Sequence, residues 1–172
     1  MKVYDGSETE QSAGGKPERK KVGIAEYEVT TGDAVLTTSG LGSCIGVALY
    51  DTESGAAGLV HVMLPRYDEG EGARAKFADT GVEVLLDELE KVGASRRSIE
   101  AKIAGGSDML DFSENGSSIG SRNADTVRET LEEYGIPIIG EDIGGDHGRS
   151  LRLESATGDL VVKSASQDSA TL

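Results

Sequence analysis

Short strand-forming runs cut by glycine-bearing turns dominate this chain, and they restrict its fold more than any other feature. The runs are Val22–Thr30, Ala34–Thr38, Ile45–Tyr50, Gly58–Leu64, Ile99–Ala104, Ile136–Gly140, Leu151–Ser155 and Leu160–Lys163, rich in Val, Ile and Ala. Thr52-Glu53-Ser54-Gly55 and Ala156-Thr157-Gly158-Asp159 carry turn chemistry between neighbouring runs, which predicts two hairpins. Only two stretches show a helical period. In Ala73–Val92 the residues Ala75, Ala78, Val82, Leu85, Leu86, Leu89 and Val92 fall on one helix face, and Gly93 is the expected stop. The second runs from about Asn123 to Tyr134, with Ala124, Val127, Leu131 and Tyr134 inward and Gly135 and Pro137 ending it. More strands than helices, with hairpins among them, predicts an α+β domain of mixed or antiparallel sheets packed together with flanking helices. A doubly wound parallel fold fits the pattern less well.

Both chain ends are small and polar. Residues 1–21 are expected to be a disordered N-terminal tail and residues 164–172 a flexible C-terminal tail, leaving a single domain over 22–163.

The charge bounds the partners. With 17 Lys+Arg against 31 Asp+Glu, the formal net charge is −14. The cations are scattered, whereas a phosphate-binding surface needs them clustered to displace counterions, so nucleic acid is not an expected partner. The acidic balance also argues against anionic membrane surfaces. No run approaches the ~20 apolar residues that span a bilayer, and no signal peptide opens the sequence, so a cytoplasmic protein without direct membrane insertion is expected. Acid excess with 24 Gly and few aromatics fits an ordinary acidic protein. It fits better a chain adapted to a salt-rich cytoplasm, where the Debye length falls to ~3 Å at 1 M and self-repulsion is screened.

One cysteine, Cys44, excludes an internal disulfide and a cysteine-based zinc site. His61 and His147 are the only histidines, which argues against a His-rich metal site; no cofactor or metal is expected. Cys44 stands in Thr38-Ser39-Gly40-Leu41-Gly42-Ser43-Cys44-Ile45-Gly46-Val47, where Gly40 and Gly42 permit a tight turn that can aim backbone N–H groups at a developing oxyanion. His61 interrupts the apolar run Gly58-Leu59-Val60-His61-Val62-Met63-Leu64-Pro65. If the two runs pair as a hairpin, His61 returns to the end that carries Cys44, and an imidazole base activates a thiol. Each residue also has a plainer reading: Cys44 as a small buried hydrophobe and His61 as a core histidine. His147, in Gly144-Gly145-Asp146-His147-Gly148, reads as a solvated loop residue. Asn123 is favoured as a helix N-cap over a substrate contact. Gly105-Gly106 reads equally as a site wall or a strand-ending turn. Glu141-Asp142 reads as a structural acid pair, and the acidic face of the first helix as merely solvated.

Six blocks in series resemble the chemoreceptor glutamine deamidases of the CheD family. They are Thr38-Ser39-Gly40-Leu41-Gly42-Ser43-Cys44, His61-Val62-Met63-Leu64-Pro65, Lys76-Phe77-Ala78-Asp79, Lys102-Ile103-Ala104-Gly105-Gly106, Ile119-Gly120-Ser121-Arg122-Asn123 and Glu141-Asp142-Ile143-Gly144-Gly145. The resemblance covers the whole expected domain, in order. Ser107, Leu110, Ser118 and Asp146 depart from the usual residues and lie outside the reacting set.

What the resemblance implies is a protein-glutamine deamidase of chemotaxis, with a fold like that of the deamidating toxins. It places the family's nucleophile on Cys44, its histidine on His61 and its threonine on Thr38. The implied partners are the cytoplasmic regions of methyl-accepting chemotaxis receptors and a CheC-type phosphatase. On that reading Cys44 attacks a glutamine carboxamide, His61 moves the protons, and Thr38 orients the imidazole, with the Cys44 backbone N–H as candidate oxyanion donor. The competing reading is a non-catalytic regulatory binding module for the CheC-type phosphatase, which has no chemical need for all three residues.

Overall fold

The computed structural model describes residues 17–69, 71–108, 118–164 and 167–172. In chain order its elements are β1 (Glu18–Lys21), β2 (Tyr27–Thr30), β3 (Ala34–Leu41), β4 (Ile45–Asp51), β5 (Ala57–Val62), α1 (Ala78–Lys91), β6 (Ile99–Gly105), α2 (Ile119–Glu133), β7 (Ile138–Ile143), β8 (Arg149–Glu154), β9 (Asp159–Ser164) and β10 (Gln167–Thr171).

The strands form two mixed five-stranded sheets, ordered β1-β3-β8-β9-β10 and β2-β5-β4-β6-β7. The expected α+β architecture holds. The two hairpins are present, as β4 against β5 and β8 against β9. Alternation along the strands sorts side chains into two cores. Leu36, Leu41, Ala48, Leu59, Ala104, Leu151, Leu153, Leu160 and Val162 fill the space between the sheets. Ile45, Val47, Leu49, Val60, Val62 and Ile103 face the other way, onto Val82, Leu85 and Leu89 of α1 and Val127 and Leu131 of α2. The second sheet is therefore covered on both faces, which is why β4 and β5 read as continuous apolar runs.

Several boundaries differ from the sequence reading, each for a local reason. The run Val22–Thr30 is not one strand but a change of sheet. Val22 closes the core between the sheets, β2 joins the other sheet, and a turn at residues 23–26 separates them. In that turn the Glu26 carboxylate accepts from the Gly23 N–H at 2.9 Å, and Ala25 adopts φ +64°. The folded unit also extends past both expected tails. Glu18–Lys21 pairs in parallel with β3, and Gln167–Thr171 pairs antiparallel with β9. These polar residues lie on edge strands, where backbone pairing holds them without an apolar pattern to announce it. Residues 1–16 of the expected tail lie outside the described residues.

The first helix is shorter than its period. Residues 74–76 form a single 3-10 turn, and Phe77 is extended and fully buried. Its neighbours act as strand, with Met63 and Leu64 N–H donating to the Lys76 carbonyl at 2.7 and 3.2 Å. The acidic face of α1 is not merely solvated either, since Glu83 pairs with Arg74, Glu88 with Lys91, and Asp87 and Glu90 with Arg96.

Helix α2 begins four residues before the expected start. Its cap is Ser118, whose hydroxyl accepts from the Ser121 N–H at 3.0 Å, so Asn123 is not the N-cap. Among the described residues no helix is long and apolar enough to cross a membrane.

Candidate active site

Strand β3 ends in an irregularity that builds one wall of the site. Its register with β8 shifts between Thr38 and Leu41, where Gly40 takes φ +75°. Only Gly adopts that backbone without strain, and the extra residue returns Leu41 to the core while the chain turns toward Cys44. The positive φ falls on Gly40; Gly42 serves by backbone contact, its carbonyl accepting from the Ser107 N–H at 2.9 Å.

The hairpin places the histidine. His61 on β5 lies opposite Gly46 on β4, on the face that looks toward the other sheet. Cys44 lies two residues before Gly46 and packs against the core between the sheets, so it is the diagonal neighbour of His61. Gly46 carries no side chain because Leu151 fills that space: a Cβ there would lie 2.3 Å from its Cδ1.

Thr38 reaches His61 from the opposite sheet. Its Oγ1 lies 2.8 Å from His61 Nδ1 and 2.7 Å from the Val22 carbonyl oxygen. A carbonyl only accepts, so the single hydroxyl proton points to Val22 and Thr38 accepts the proton on Nδ1. That fixes the tautomer, leaving Nε2 as the ring's lone-pair nitrogen. Nε2 is buried and has no hydrogen-bond partner among the described residues.

Burial sets the protonation of the pair. It pushes the His61 pKa down to about 4, so the ring is neutral near pH 7. Burial also raises the half-buried Cys44 thiol above its ordinary value, against a smaller lowering by the backbone N–H of Cys44 itself. Near neutral pH the thiol and the imidazole at this end of the hairpin are therefore both uncharged.

A second layer holds the loop that carries Cys44. The Gly106 N–H donates to the Cys44 carbonyl at 2.9 Å. Gly105 has φ +120°, and a Cβ on it would lie 2.2 Å from the Cys44 oxygen. The Gly105-Gly106 pair is thus a strand-ending turn wedged directly against the loop that carries Cys44. Arg149 supports the turn from behind, donating to the Gly105 carbonyl at 3.3 Å, the Gly144 carbonyl at 2.8 Å and the Asp142 carboxylate at 3.2 Å. Glu141 pairs outward with Arg128, which lowers its pKa, so the Glu141-Asp142 pair acts structurally. His147 sits in the loop that follows Gly144, with Nδ1 4.0 Å from the Asp146 carboxylate.

The sequence reading missed the role of Asn123. It is fully buried, and its Nδ2 donates to the Ser43 carbonyl at 2.9 Å and the Met63 carbonyl at 2.8 Å. The signal was present: stepping back from Val127 by the helical period lands on Ala124, Asn123 and Gly120, the buried face of α2. A polar residue on such a face is more informative than one at a cap. Among the described residues no group of His, Cys, Asp and Glu is arranged to hold a metal ion.

The family model described as CheD chemotactic sensory transduction matches residues 63–164, a segment that begins two residues after His61. Whole-chain relatives cover the rest. A Haloarcula marismortui protein described as a probable chemoreceptor glutamine deamidase is 66% identical over 100% of both chains. A Natronomonas pharaonis protein with the same description is 46% identical, covering 90% of this chain and 93% of its own. The chemoreceptor glutamine deamidase of Halalkalibacterium halodurans is 43% identical, covering 86% of this chain and 94% of its own.

Proposed function

The chain belongs to the CheD family, and we propose that, as a chemoreceptor glutamine deamidase, it works through Cys44 as nucleophile, His61 as proton carrier and Thr38 as the group that orients the ring. The substrate is a glutamine side chain in the cytoplasmic region of a chemotaxis receptor. The observation that carries the residue assignment is the hydrogen-bond chain from His61 Nδ1 through Thr38 to the Val22 carbonyl. Buried polar groups are as a rule hydrogen-bonded, whereas His61 pairs Nδ1 and keeps Nε2 without a partner among the described residues.

Cys44 Sγ attacks the carboxamide carbon while Nε2 takes the thiol proton. The tetrahedral oxyanion is met by the Cys44 backbone N–H. The C–N bond breaks as Nε2 returns the proton to the leaving nitrogen, releasing ammonia and a thioester. Water then attacks the thioester carbon with Nε2 as base. The C–S bond breaks, the thiol regains its proton, and glutamate is the product. No metal or cofactor enters. The protein acts in the cytoplasm, and a CheC-type phosphatase is its second partner, testable by co-elution of the two purified proteins.

The test is mass spectrometry of a receptor cytoplasmic fragment incubated with wild type, Cys44→Ala and His61→Ala. Cys44→Ala should abolish the gain of one mass unit per glutamine, and His61→Ala should slow it by roughly 10²- to 10⁴-fold. Deamidation by Cys44→Ala at the wild-type rate would refute the nucleophile assignment, and a wild type that deamidates no glutamine would favour the binding-module reading.

A further inference from the structure

Asn123 is a buried polar side chain that touches both the segment carrying Cys44 and the segment carrying His61. Both protons of its amide nitrogen are spent on main-chain carbonyls: that of Ser43, immediately before the cysteine, and that of Met63, two residues after the histidine. Helix α2 can bring it there because its first turn docks at backbone contact. A Cβ on Gly120 would lie 2.5 Å from the Ser107 carbonyl oxygen and 2.6 Å from the Gly106 carbonyl carbon. Gly120 and Asn123 stand one helical turn apart on the same buried face.

The consequence lies in the Ser43–Cys44 peptide. Its bond is trans, like all others described, so its C=O and N–H point in opposite directions. Drawing the Ser43 carbonyl toward α2 turns the Cys44 N–H away from α2. We infer that Asn123 is a positioning residue that sets the plane of the Ser43–Cys44 peptide and thereby aims the Cys44 N–H at the oxyanion formed on the substrate. This rests on Cys44 being the nucleophile. Two further observations agree with it. The Cys44 N–H makes no backbone hydrogen bond within the protein among the described residues, and it lies close enough to its own thiol to stabilise the thiolate. The Cys44 carbonyl is held separately by the Gly106 N–H at 2.9 Å, so the loop's position and the orientation of its peptide have different owners.

The two reactions of Cys44 separate this role from simple support of the fold. Deamidation passes through a carbonyl oxyanion. Alkylation by iodoacetamide is a displacement at a saturated carbon and needs only the thiolate. Asn123→Leu keeps the volume and removes both N–H donors; Asn123→Ser shortens the side chain below reach. In a variant that retains the wild-type far-UV spectrum and a cooperative melt, kcat for deamidation of a receptor fragment should fall about 10²-fold with KM unchanged. The rate of Cys44 alkylation and its pH profile should stay within about threefold of wild type. Deamidation within threefold of wild type, an equal fall in both reactions, or failure of both variants to fold would each overturn the proposal. Cys44→Ala, run alongside, isolates the premise: if it deamidates, the nucleophile assignment has failed and not the brace alone.

Discussion

Each end of β4 carries a buried polar network, and the two are built on opposite rules. At the far end the Asp51 carboxylate accepts four hydrogen bonds. The Ser98 hydroxyl and Glu53 N–H donate to one oxygen at 2.5 and 3.0 Å, and the Ser54 hydroxyl and Ser95 N–H donate to the other at 2.8 and 3.0 Å. Burial alone would raise its pKa, but these donors outweigh it and hold the carboxyl far below the usual carboxylate range. At the near end, His61 Nε2, Ser107 Oγ and Asn123 Oδ1 are buried without hydrogen-bond partners among the described residues. A saturated network ties loops together; an unsaturated one costs stability and keeps capacity for a substrate. A strongly shifted pKa at Asp51 thus goes with a fully satisfied carboxylate, whereas the unpaired polar atoms lie at the end that carries His61.

Breaking the saturated end should produce the larger change in stability. Asp51→Ala strands four donors at once and is expected to cost roughly 2–4 kcal/mol in urea unfolding, with deamidation per folded molecule unchanged. A loss of kcat without a loss of stability would reverse the assignment of the two ends. Thr38→Val tests the other end. It removes the hydroxyl that fixes the ring, so kcat should drop on the order of 10- to 100-fold, for about 1 kcal/mol of stability. Activity close to wild type in a variant that melts normally would show that the ring needs no partner on Nδ1.

Mild acid sharpens the contrast without mutation. The folded pKa of His61, about 4, lies below its unfolded value near 6.5. Its burial therefore favours folding fully above pH ~6.5, and that contribution is lost as pH falls toward 4. Asp51 also titrates below its unfolded value, but its contribution persists down to about pH 4 and is lost only beneath it. Between pH 6.5 and 4.5 the wild type should lose more stability than His61→Gln, measured by thermal melts across the range. Superimposable pH dependences would remove His61 as the group responsible.

Much of this was legible from the residues. The β4–β5 hairpin followed from the turn at 52–55, and with it the return of His61 toward Cys44. Turn chemistry is local, and two strands joined by a short turn have few registers available. The strand count and the helical faces of α1 and α2 were equally readable, because burying one face imposes a period on the sequence. The edge strands were not. Arg19 and Lys21 pair with Val35 and Thr37 through main-chain atoms, and such pairing leaves no mark on side-chain type.

By itself the sequence determined which residue types can react and placed Cys44 and His61 at one end of one hairpin. The relatives support the salt-adapted reading of its −14 charge, two of them being from Haloarcula and Natronomonas. Only the tertiary structure decided which nitrogen of His61 is free, because Thr38 belongs to the other sheet and the Val22 carbonyl that takes its proton lies beyond a turn. It alone decided what Asn123 does. The contacts from Asn123 to Ser43 and Met63 join positions 80 and 60 residues apart, and no local propensity encodes a hydrogen bond closed by packing one helix against two strands.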